Sequence, residues 1–223
     1  MTTRELSPEE GYALWASNYP PCAHNAVMRA EERAMLGWLP ASLHGRRVID
    51  AGCGSGRYSL HARQRGATVF GVDASLEMLQ VAAGHDLRVA VGSLTHLPIA
   101  SGWADLVLCG LTLGHIPALP QALMELGRVL RDAGTALCSD FHPVGHALGW
   151  QRSFTLECQR YAVRYVAHQY SDWHRACRMA GLTIEEVAEP RLDLADIPQD
   201  AHFDPRALEL PVAIAFKLRK GRG

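Results

Sequence analysis

A glycine-rich turn between two acidic residues is the part of this sequence best suited to chemistry. An apolar run ending at Asp50 leads into the turn at Gly52–Gly56, and a second apolar run ends at Asp73. Glycine allows positive φ and close approach of the backbone to a ligand, and the N–H groups at the start of the next helix face that ligand. A carboxylate about twenty residues after the glycines can accept hydrogen bonds from two ribose hydroxyls. The stretch 48–75 therefore predicts a βαβ unit that binds a nucleoside.

The positions of the glycines decide between nucleoside ligands. The dinucleotide pattern G-x-G-x-x-G is broken, because Arg57 and Ser59 stand where its third glycine would be needed. The Gly-Lys-Ser/Thr of a P-loop is also missing from the turn. Asp50, just before the turn, would repel a pyrophosphate and suits a ligand with a positive end. The residues thus favour a nucleoside that carries a cationic group.

Four segments stand in a specific order and spacing. They are DAGCGSG at Asp50–Gly56, GVDAS at Gly71–Ser75, ADLVLCGLTLGHI at Ala104–Ile116 and GRVLRDAGTALCSDFHP at Gly127–Pro143. In these segments the chain resembles the class I S-adenosylmethionine-dependent methyltransferases of the small-molecule type. The resemblance implies S-adenosyl-L-methionine as cofactor and in-line transfer of its methyl group to an oxygen, nitrogen or carbon of a small-molecule acceptor. The alternative is a methyltransferase-like protein or partner subunit that binds the cofactor without catalysis.

The pattern of apolar runs predicts the fold that positions these residues. From residue 46 onward strands and helices alternate, which indicates a parallel sheet with helices on both faces. The resemblance implies a Rossmann-like α/β fold with a seven-stranded, mostly parallel sheet whose last strand is antiparallel. We expect strands at 46–50, 68–72, 87–91, 104–109, 134–140, near 183–189 and near 211–218, and helices at 56–65, 75–83, 118–131 and 171–180.

A single domain over residues 1–223 is expected, with two additions to the alternating pattern. The N-terminal addition is helical and is interrupted at Pro20-Pro21. The second is longer than a normal connection and contains aromatic and β-branched stretches, which indicate a hairpin over the substrate site. The expected parts are the N-terminal lid, the cofactor-binding half, the insert, and the closing helix and strands, at 1–44, 45–140, 141–170 and 171–223.

The carboxyl ends of the strands should surround one crevice, where the ligand of an open α/β sheet lies. The resemblance assigns the glycine turn to the methionine part of the cofactor and Asp73 to the ribose. Asp50 is expected either to orient the turn or to contact the ammonium group of the cofactor through water. The family usually reads Gly-Asp after the third strand, whereas this chain reads Gly92-Ser93 and so offers the adenine a neutral, weaker acceptor. The predicted cofactor residues are Asp50, Gly52, Cys53, Gly54, Gly56, Asp73, Ala74, Ser75, Ser93, Leu94 and Tyr19.

Histidines and aromatic residues supply the candidates on the acceptor side. A hydroxyl acceptor is helped by a general base, and histidine titrates near neutral pH. His142 follows the fifth strand and His115 the fourth, so these two are the predicted catalytic residues. The N-terminal segment resembles the family's aromatic lid, although its spacing also suits a helical stripe that packs on the core. The predicted substrate contacts are Tyr12, His24 and His168.

Charge and composition narrow the classes of partner. The net charge is −1 and the basic residues are scattered, which argues against a nucleic-acid partner. The N-terminus does not resemble a signal peptide, and no apolar run approaches membrane-spanning length. Six cysteines without a C-x-x-C pair predict free thiols and no metal site. We therefore expect a cytoplasmic monomer or homodimer that acts on a small molecule, away from membranes.

Overall fold

Apolar runs and amphipathic stretches alternate along the chain, and each becomes a strand or a helix. The structure, a computed structural model, describes residues 3–199 and 203–221. The strands are β1 (Arg4–Leu6), β2 (Arg47–Ala51), β3 (Thr68–Asp73), β4 (Val89–Val91), β5 (Ala104–Gly110), β6 (Leu130–Phe141), β7 (Ser153–Leu156), β8 (Gln159–Val163), β9 (Leu182–Ala188) and β10 (Ala213–Lys220). The helices are α1 (Pro8–Trp15), α2 (Ala26–Trp38), α3 (Arg57–Gln64), α4 (Leu76–Ala83), α5 (Leu119–Val129), α6 (Pro143–Ala147) and α7 (Tyr170–Met179).

The main sheet has seven strands in the spatial order β4-β3-β2-β5-β6-β10-β9. The first five strands in this order run parallel to their neighbours, and β10 runs antiparallel to both β6 and β9. One face packs against α5 and α7, and the other packs against α2 and α3. Strands covered on both faces are apolar throughout, which is why β2 and β5 appear in the sequence as continuous apolar runs. The predicted Rossmann-like fold class is confirmed.

One strand begins earlier than the sequence predicts. The strand expected at 134–140 starts at Leu130, which already pairs with Ala104 directly after α5 ends. The pairing then shifts register, and Ala133 adopts a left-handed conformation with φ of 54°. An irregular segment of this kind carries turn-forming residues, so the local pattern indicates a loop although the backbone remains bonded to β5.

The N-terminal segment and the insert are joined in a second, smaller sheet. Strands β7 and β8 form an antiparallel hairpin within the insert, and β1 adds to β8 in parallel. The ring of Trp15 on α1 stacks on that of Phe154 in β7, with centroids 4.4 Å apart. The buried side chains of Leu6 and Val163 complete this contact. The N-terminal segment and the insert therefore form one structural unit beside the main sheet.

A buried ionic network fixes α2 to α3 and to the main sheet. Glu31 on α2 has no exposed surface, and it accepts hydrogen bonds from Arg57 at 2.9 Å, from the Tyr58 hydroxyl at 2.8 Å and from the Ser139 hydroxyl. Breaking a buried pair of this kind leaves an uncompensated charge and is strongly destabilising. The network thus holds the N-terminal segment in a fixed position relative to the glycine turn that precedes α3.

Among the helices of residues 3–199 and 203–221, none combines the length and the apolar character that crossing a bilayer requires.

Candidate active site

A cavity opens at the carboxyl ends of β2, β3 and β5, beneath the N-terminal segment. It is the crevice that the sequence predicts from the rule for open α/β sheets. Most of the predicted residues line it, from both the cofactor set and the acceptor set. Those residues are Tyr12, Tyr19, Asp50, Gly52, Cys53, Gly54, Asp73, Ala74, Ser75, Ser93, Leu94 and His115.

The glycine turn passes close to the loop after β5. Gly52 has φ of 73°, and a Cβ atom built there would lie 2.3 Å from the Thr112 side chain. The N–H groups of Gly52 and Cys53 both donate to the carbonyl of Val72, at 2.7 and 3.0 Å. A side chain at Gly52 would therefore be excluded by both conformation and space. Gly56, with φ of 96°, lies outside the cavity and begins α3 beneath the turn.

Asp50 connects the end of β2 to the first turn of α3. Its Oδ2 atom accepts hydrogen bonds from the backbone N–H and the hydroxyl of Ser59, both at 2.7 Å. Burial raises the pKa of Asp50 to about 6, against the opposing effect of these hydrogen bonds. Because the carboxylate is committed to Ser59, the geometry supports the orienting role that the sequence predicts for Asp50.

Asp73 is held between the glycine turn and the start of α4. One carboxylate oxygen accepts from the N–H of Gly54 at 2.8 Å, and the other accepts from the N–H of Ser75 at 2.9 Å. Burial raises the pKa of Asp73 above its usual range. Each oxygen keeps further acceptor capacity, since a carboxylate offers about four lone-pair sites. A ligand with two adjacent hydroxyls would therefore meet a carboxylate whose orientation is already fixed.

Tyr12 and His115 also line the cavity, and they form a hydrogen-bonded pair. The Tyr12 hydroxyl lies 2.9 Å from Nε2 of His115, and Nδ1 of His115 lies 3.1 Å from the carbonyl of Arg164. Because a carbonyl only accepts, Nδ1 carries the proton and Nε2 accepts from Tyr12. Burial lowers the pKa of His115 to about 4, with a smaller effect from the nearby Arg152 charge. His115 is thus neutral at pH 7 and is a weak base.

Arg152 lies beside this pair and was not among the predicted residues. Its side chain is 9% exposed, and Nη2 donates to the Tyr19 hydroxyl at 2.9 Å. The guanidinium lies over the rings of Tyr12, Trp15 and Phe141, with its carbon 5.1–5.6 Å from the ring centroids. Its Nε atom is buried without a hydrogen-bond partner. The sequence does not single it out, because the insert also contains Arg160 and Arg164.

Three predicted histidines lie outside this cavity. His142 begins α6, accepts from the N–H of Val144 at 3.2 Å and contacts Glu189 at 3.1 Å. His168 contacts the carbonyl of Ile116 at 3.0 Å. His24 packs edge-on against the Tyr19 ring, with centroids 4.8 Å apart, and burial lowers its pKa. The structure therefore brings only His115, of these four histidines, to the cavity wall.

Comparison with known proteins connects this geometry to a family. Residues 49–138 match the family model described as "Methyltransferase domain". A solved S-adenosylmethionine-dependent methyltransferase from Mesorhizobium loti superimposes with a TM-score of 0.69 at 22% identity, over 86% of this chain and 98% of that one. Residues 49–138 are thus similar to a methyltransferase domain, and the fold around them is that of solved S-adenosylmethionine-dependent methyltransferases. The matched segment contains Asp50, Asp73 and the glycine turn between them.

Two curated relatives share this methyltransferase domain. A malonyl-[acyl-carrier protein] O-methyltransferase of Pectobacterium atrosepticum is 32% identical over 151 residues, which cover 66% of this chain and 58% of that protein. A ubiquinone biosynthesis O-methyltransferase of Paracidovorax citrulli is 34% identical over 111 residues, which cover 44% and 46%. The chain thus spans about half the length of these curated relatives.

The residues of the methyltransferase domain fit the cofactor of this class, S-adenosylmethionine. Asp73 has the acceptor capacity for two ribose hydroxyls, and the left-handed glycines keep the turn free of side chains where a ligand must approach closely. Met78 and Leu94 supply an apolar wall on the same side of the cavity as Asp73. The rings of Tyr12 and Tyr19 offer aromatic surface suited to a sulfonium cation.

Proposed function

We propose that this protein transfers a methyl group from S-adenosylmethionine to a small-molecule acceptor, with oxygen as the first nucleophile to test. The observation that carries the proposal is one continuous cavity. One part of its wall, the glycine-turn end, is formed by Asp73 and the glycine turn, and another part, the insert end, is formed by Tyr12, His115 and Arg152. A cofactor held at the first end would therefore have acceptor-binding groups next to it. Two curated relatives of the domain are named as O-methyltransferases, which supports the choice of oxygen.

The reaction expected is an in-line displacement. When bound, S-adenosylmethionine supplies an electrophilic methyl group on a sulfonium, so the carbon–sulfur bond breaks as a carbon–nucleophile bond forms. The chain's contribution is to hold the acceptor close to that carbon and in line with it, and such positioning can supply about 7–11 kcal/mol of the barrier. Pro8, Glu9 and Tyr12 of the N-terminal segment contribute to the wall of the cavity, which helps to exclude water.

The proton balance favours an acceptor that is already ionised. A neutral hydroxyl must lose its proton during methylation, and a general base is most effective when its pKa lies near the working pH. His115 has a pKa lowered to about 4, and its Nε2 is occupied by Tyr12. A carboxylate or an acidic phenolate loses no proton during transfer. The pair Tyr12–His115 is therefore poorly suited to removing a proton, and its own two protons are already donated to Nε2 of His115 and to the carbonyl of Arg164.

Two measurements test the proposal in sequence. S-adenosylhomocysteine at about 100 times its Kd should raise the melting temperature by about 5–10 °C. Methyl transfer from labelled S-adenosylmethionine should then be measured with a panel of carboxylic acids, phenols and amines. Failure of S-adenosylhomocysteine to stabilise the protein would overturn the cofactor assignment. Stabilisation without transfer to any acceptor would favour the alternative, a cofactor-binding protein without catalysis.

A further inference from the structure

A second cavity adjoins the first, and the proposed function leaves it unused. It is lined by aromatic and apolar side chains, among them Phe141, Trp150, Tyr165 and Val212. Arg152 belongs to the walls of both cavities. Arg152 is therefore the residue that the two cavities share.

No carboxylate among the described residues forms an ion pair with Arg152, although the charge of Asp140 acts on it from a greater distance. Arginine stays protonated in proteins and carries five N–H donors, of which the structure accounts for one through the Tyr19 hydroxyl. The rings around the guanidinium attract the charge but do not replace a hydrogen-bond acceptor at the buried Nε. A buried charge is costly unless it is both paired and hydrogen-bonded. The site thus lacks an anion.

The nearest candidate within the chain, Asp140, does not fill that place. Its Oδ1 accepts from the N–H of Phe141 at 2.8 Å, and its Oδ2 is buried without a partner. Burial raises the pKa of Asp140 to about 7, so the group is only partly ionised near neutral pH. No ion pair joins Asp140 to Arg152 in the part of the chain that the structure describes. The missing anion is therefore expected from a ligand.

The walls of the second cavity indicate what the rest of that ligand should be. The polar atoms of its aromatic residues are already bonded within the protein: Trp150 Nε1 donates to Asp204 at 2.9 Å, and the Tyr165 hydroxyl donates to the carbonyl of Trp150 at 3.1 Å. His142, also in this wall, is occupied by Val144 and Glu189. These side chains consequently present ring faces and apolar edges to the cavity.

We propose that Arg152 binds the carboxylate of the methyl acceptor, and that the apolar body of this acid occupies the second cavity. The planar fork of a guanidinium matches the two oxygens of a carboxylate, and one carboxylate balances the single positive charge. A phosphate monoester carries between one and two negative charges and is less well matched by one arginine. This inference rests on the proposed function, since it names the acceptor of the same reaction.

The first test measures binding to protein saturated with S-adenosylhomocysteine. Cinnamate and octanoate should bind, and cinnamamide and octanamide should bind at least 10-fold more weakly, by calorimetry or ligand-observed NMR. Arg152→Gln should weaken binding of the acids at least 10-fold and leave the Kd of S-adenosylhomocysteine within about 3-fold. Arg152→Lys should recover part of the loss, because it restores the charge without the fork. Arg160→Gln, at an exposed arginine on β8 of the same hairpin, is the matched control and should bind like wild type.

A cavity-filling variant tests the position of the apolar body. Ala207 is buried in the wall of the second cavity, so Ala207→Phe should weaken binding of the acids at least 10-fold without changing that of S-adenosylhomocysteine. The melting temperature without ligand checks that this variant folds, and Ala207→Leu serves as a smaller filling if it does not. Unchanged affinity for the acids in a folded filling variant would overturn the assignment of the second cavity.

The remaining outcomes separate this inference from the proposed function. If Arg152→Gln raises the Kd for S-adenosylhomocysteine 10-fold or more, the guanidinium binds the cofactor's own carboxylate and the inference is wrong. If phenyl phosphate binds more tightly than cinnamate, the carboxylate class is wrong. In both cases methyl transfer by the wild-type protein would still support the proposed function. Failure of S-adenosylhomocysteine to bind would overturn both the proposed function and the inference about Arg152.

Discussion

The two ends of the main cavity are built in different ways. At the glycine-turn end, the carboxylates of Asp50 and Asp73 each accept two hydrogen bonds, three of the four from backbone N–H groups. At the insert end, Arg152 retains a buried Nε without a hydrogen-bond partner, and four of its five N–H donors have no acceptor in the described residues. One end is therefore complete before a ligand arrives, and the other has polar groups that a ligand could satisfy.

This difference bears on how each end binds. A carboxylate with a fixed orientation needs no rearrangement when a ribose approaches, so binding there depends on the direct hydrogen bonds. A buried charge without a partner raises the free energy of the protein until an anion arrives, so binding there includes relief of that cost. Substitutions at the glycine-turn end should therefore weaken only the binding of the cofactor. Substitutions at the insert end should change the binding of the acceptor and the stability of the protein.

The largest effect is expected at Asp73. Asp73→Ala removes the carboxylate that we propose accepts from two ribose hydroxyls, and it also frees the N–H groups of Gly54 and Ser75. Hydrogen bonds to charged groups contribute about 1.5–3 kcal/mol each, so the Kd for S-adenosylhomocysteine should rise at least 100-fold, roughly 2.7 kcal/mol, by titration calorimetry.

Asp73→Asn provides the graded control, because it keeps the shape and one acceptor oxygen while removing the charge. We expect about a 10-fold increase in Kd for this variant. An alanine variant that folds and still binds S-adenosylhomocysteine within about 3-fold of wild type would show that the nucleoside lies elsewhere, and the contrast between the two ends would fail.

The same contrast explains which parts of the site the sequence predicts. Asp73 and Gly54 are 19 residues apart within one βαβ unit, so a local pattern contains both partners. Tyr12 and His115 are separated by 103 residues, and Arg152 and Tyr19 by 133. Those contacts depend on how the N-terminal segment and the insert pack on the sheet, and no spacing in the sequence encodes that packing.

Prediction of the fold from the sequence has a similar limit. Alternating apolar runs predict the main sheet and its helices closely, since burial on both faces leaves a clear period in the sequence. The pairing of β1 with β8 could not be predicted in this way, because a three-residue edge strand carries too few positions for a period. The predicted role of His142 stays a prediction; the structure places it in the wall of the second cavity.

A smaller effect, on stability rather than on cofactor binding, is expected at His115. Burial lowers its folded-state pKa to about 4, below the value of about 6.5 in an unfolded chain. Between pH 6.5 and pH 4 the unfolded state binds the extra proton, so stability is lost as the pH falls through that window. Wild type should lose about 1–2 kcal/mol more than His115→Gln between pH 7.5 and pH 5, measured by urea unfolding.

The difference in stability loss between His115→Gln and wild type isolates the contribution of His115 from that of groups whose pH dependence has the opposite sign. Burial raises the pKa of Asp50 to about 6, which stabilises the folded state as the pH falls, and both proteins share that contribution. His44→Gln, at an exposed histidine, is the control and should follow wild type. Equal losses in wild type and His115→Gln would mean that His115 is not held neutral, and a general-base role for it would regain support.

The smallest effect is expected at Ser93, where the sequence at the glycine-turn end departs from the family pattern. The Ser93 hydroxyl contacts Thr95 Oγ1 at 2.8 Å and accepts from the Thr95 N–H at 3.2 Å. Ser93→Asp can keep the bond to the Thr95 N–H with one oxygen and offer a charged acceptor to the adenine amino group with the other. Charge-assisted bonds are about twice as strong as neutral ones, so the Kd for S-adenosylhomocysteine should fall about 3–10-fold.

The neutral variant Ser93→Asn separates charge from shape. It offers an amide oxygen of nearly the same size and position, so its Kd should stay within about 2-fold of wild type. If the aspartate variant binds no more tightly than the asparagine variant, the adenine does not lie against this position. The glycine-turn end would then supply polar contacts only to the ribose and the methionine part of the cofactor. The adenine would be held by the apolar side chains of Met78 and Leu94 alone.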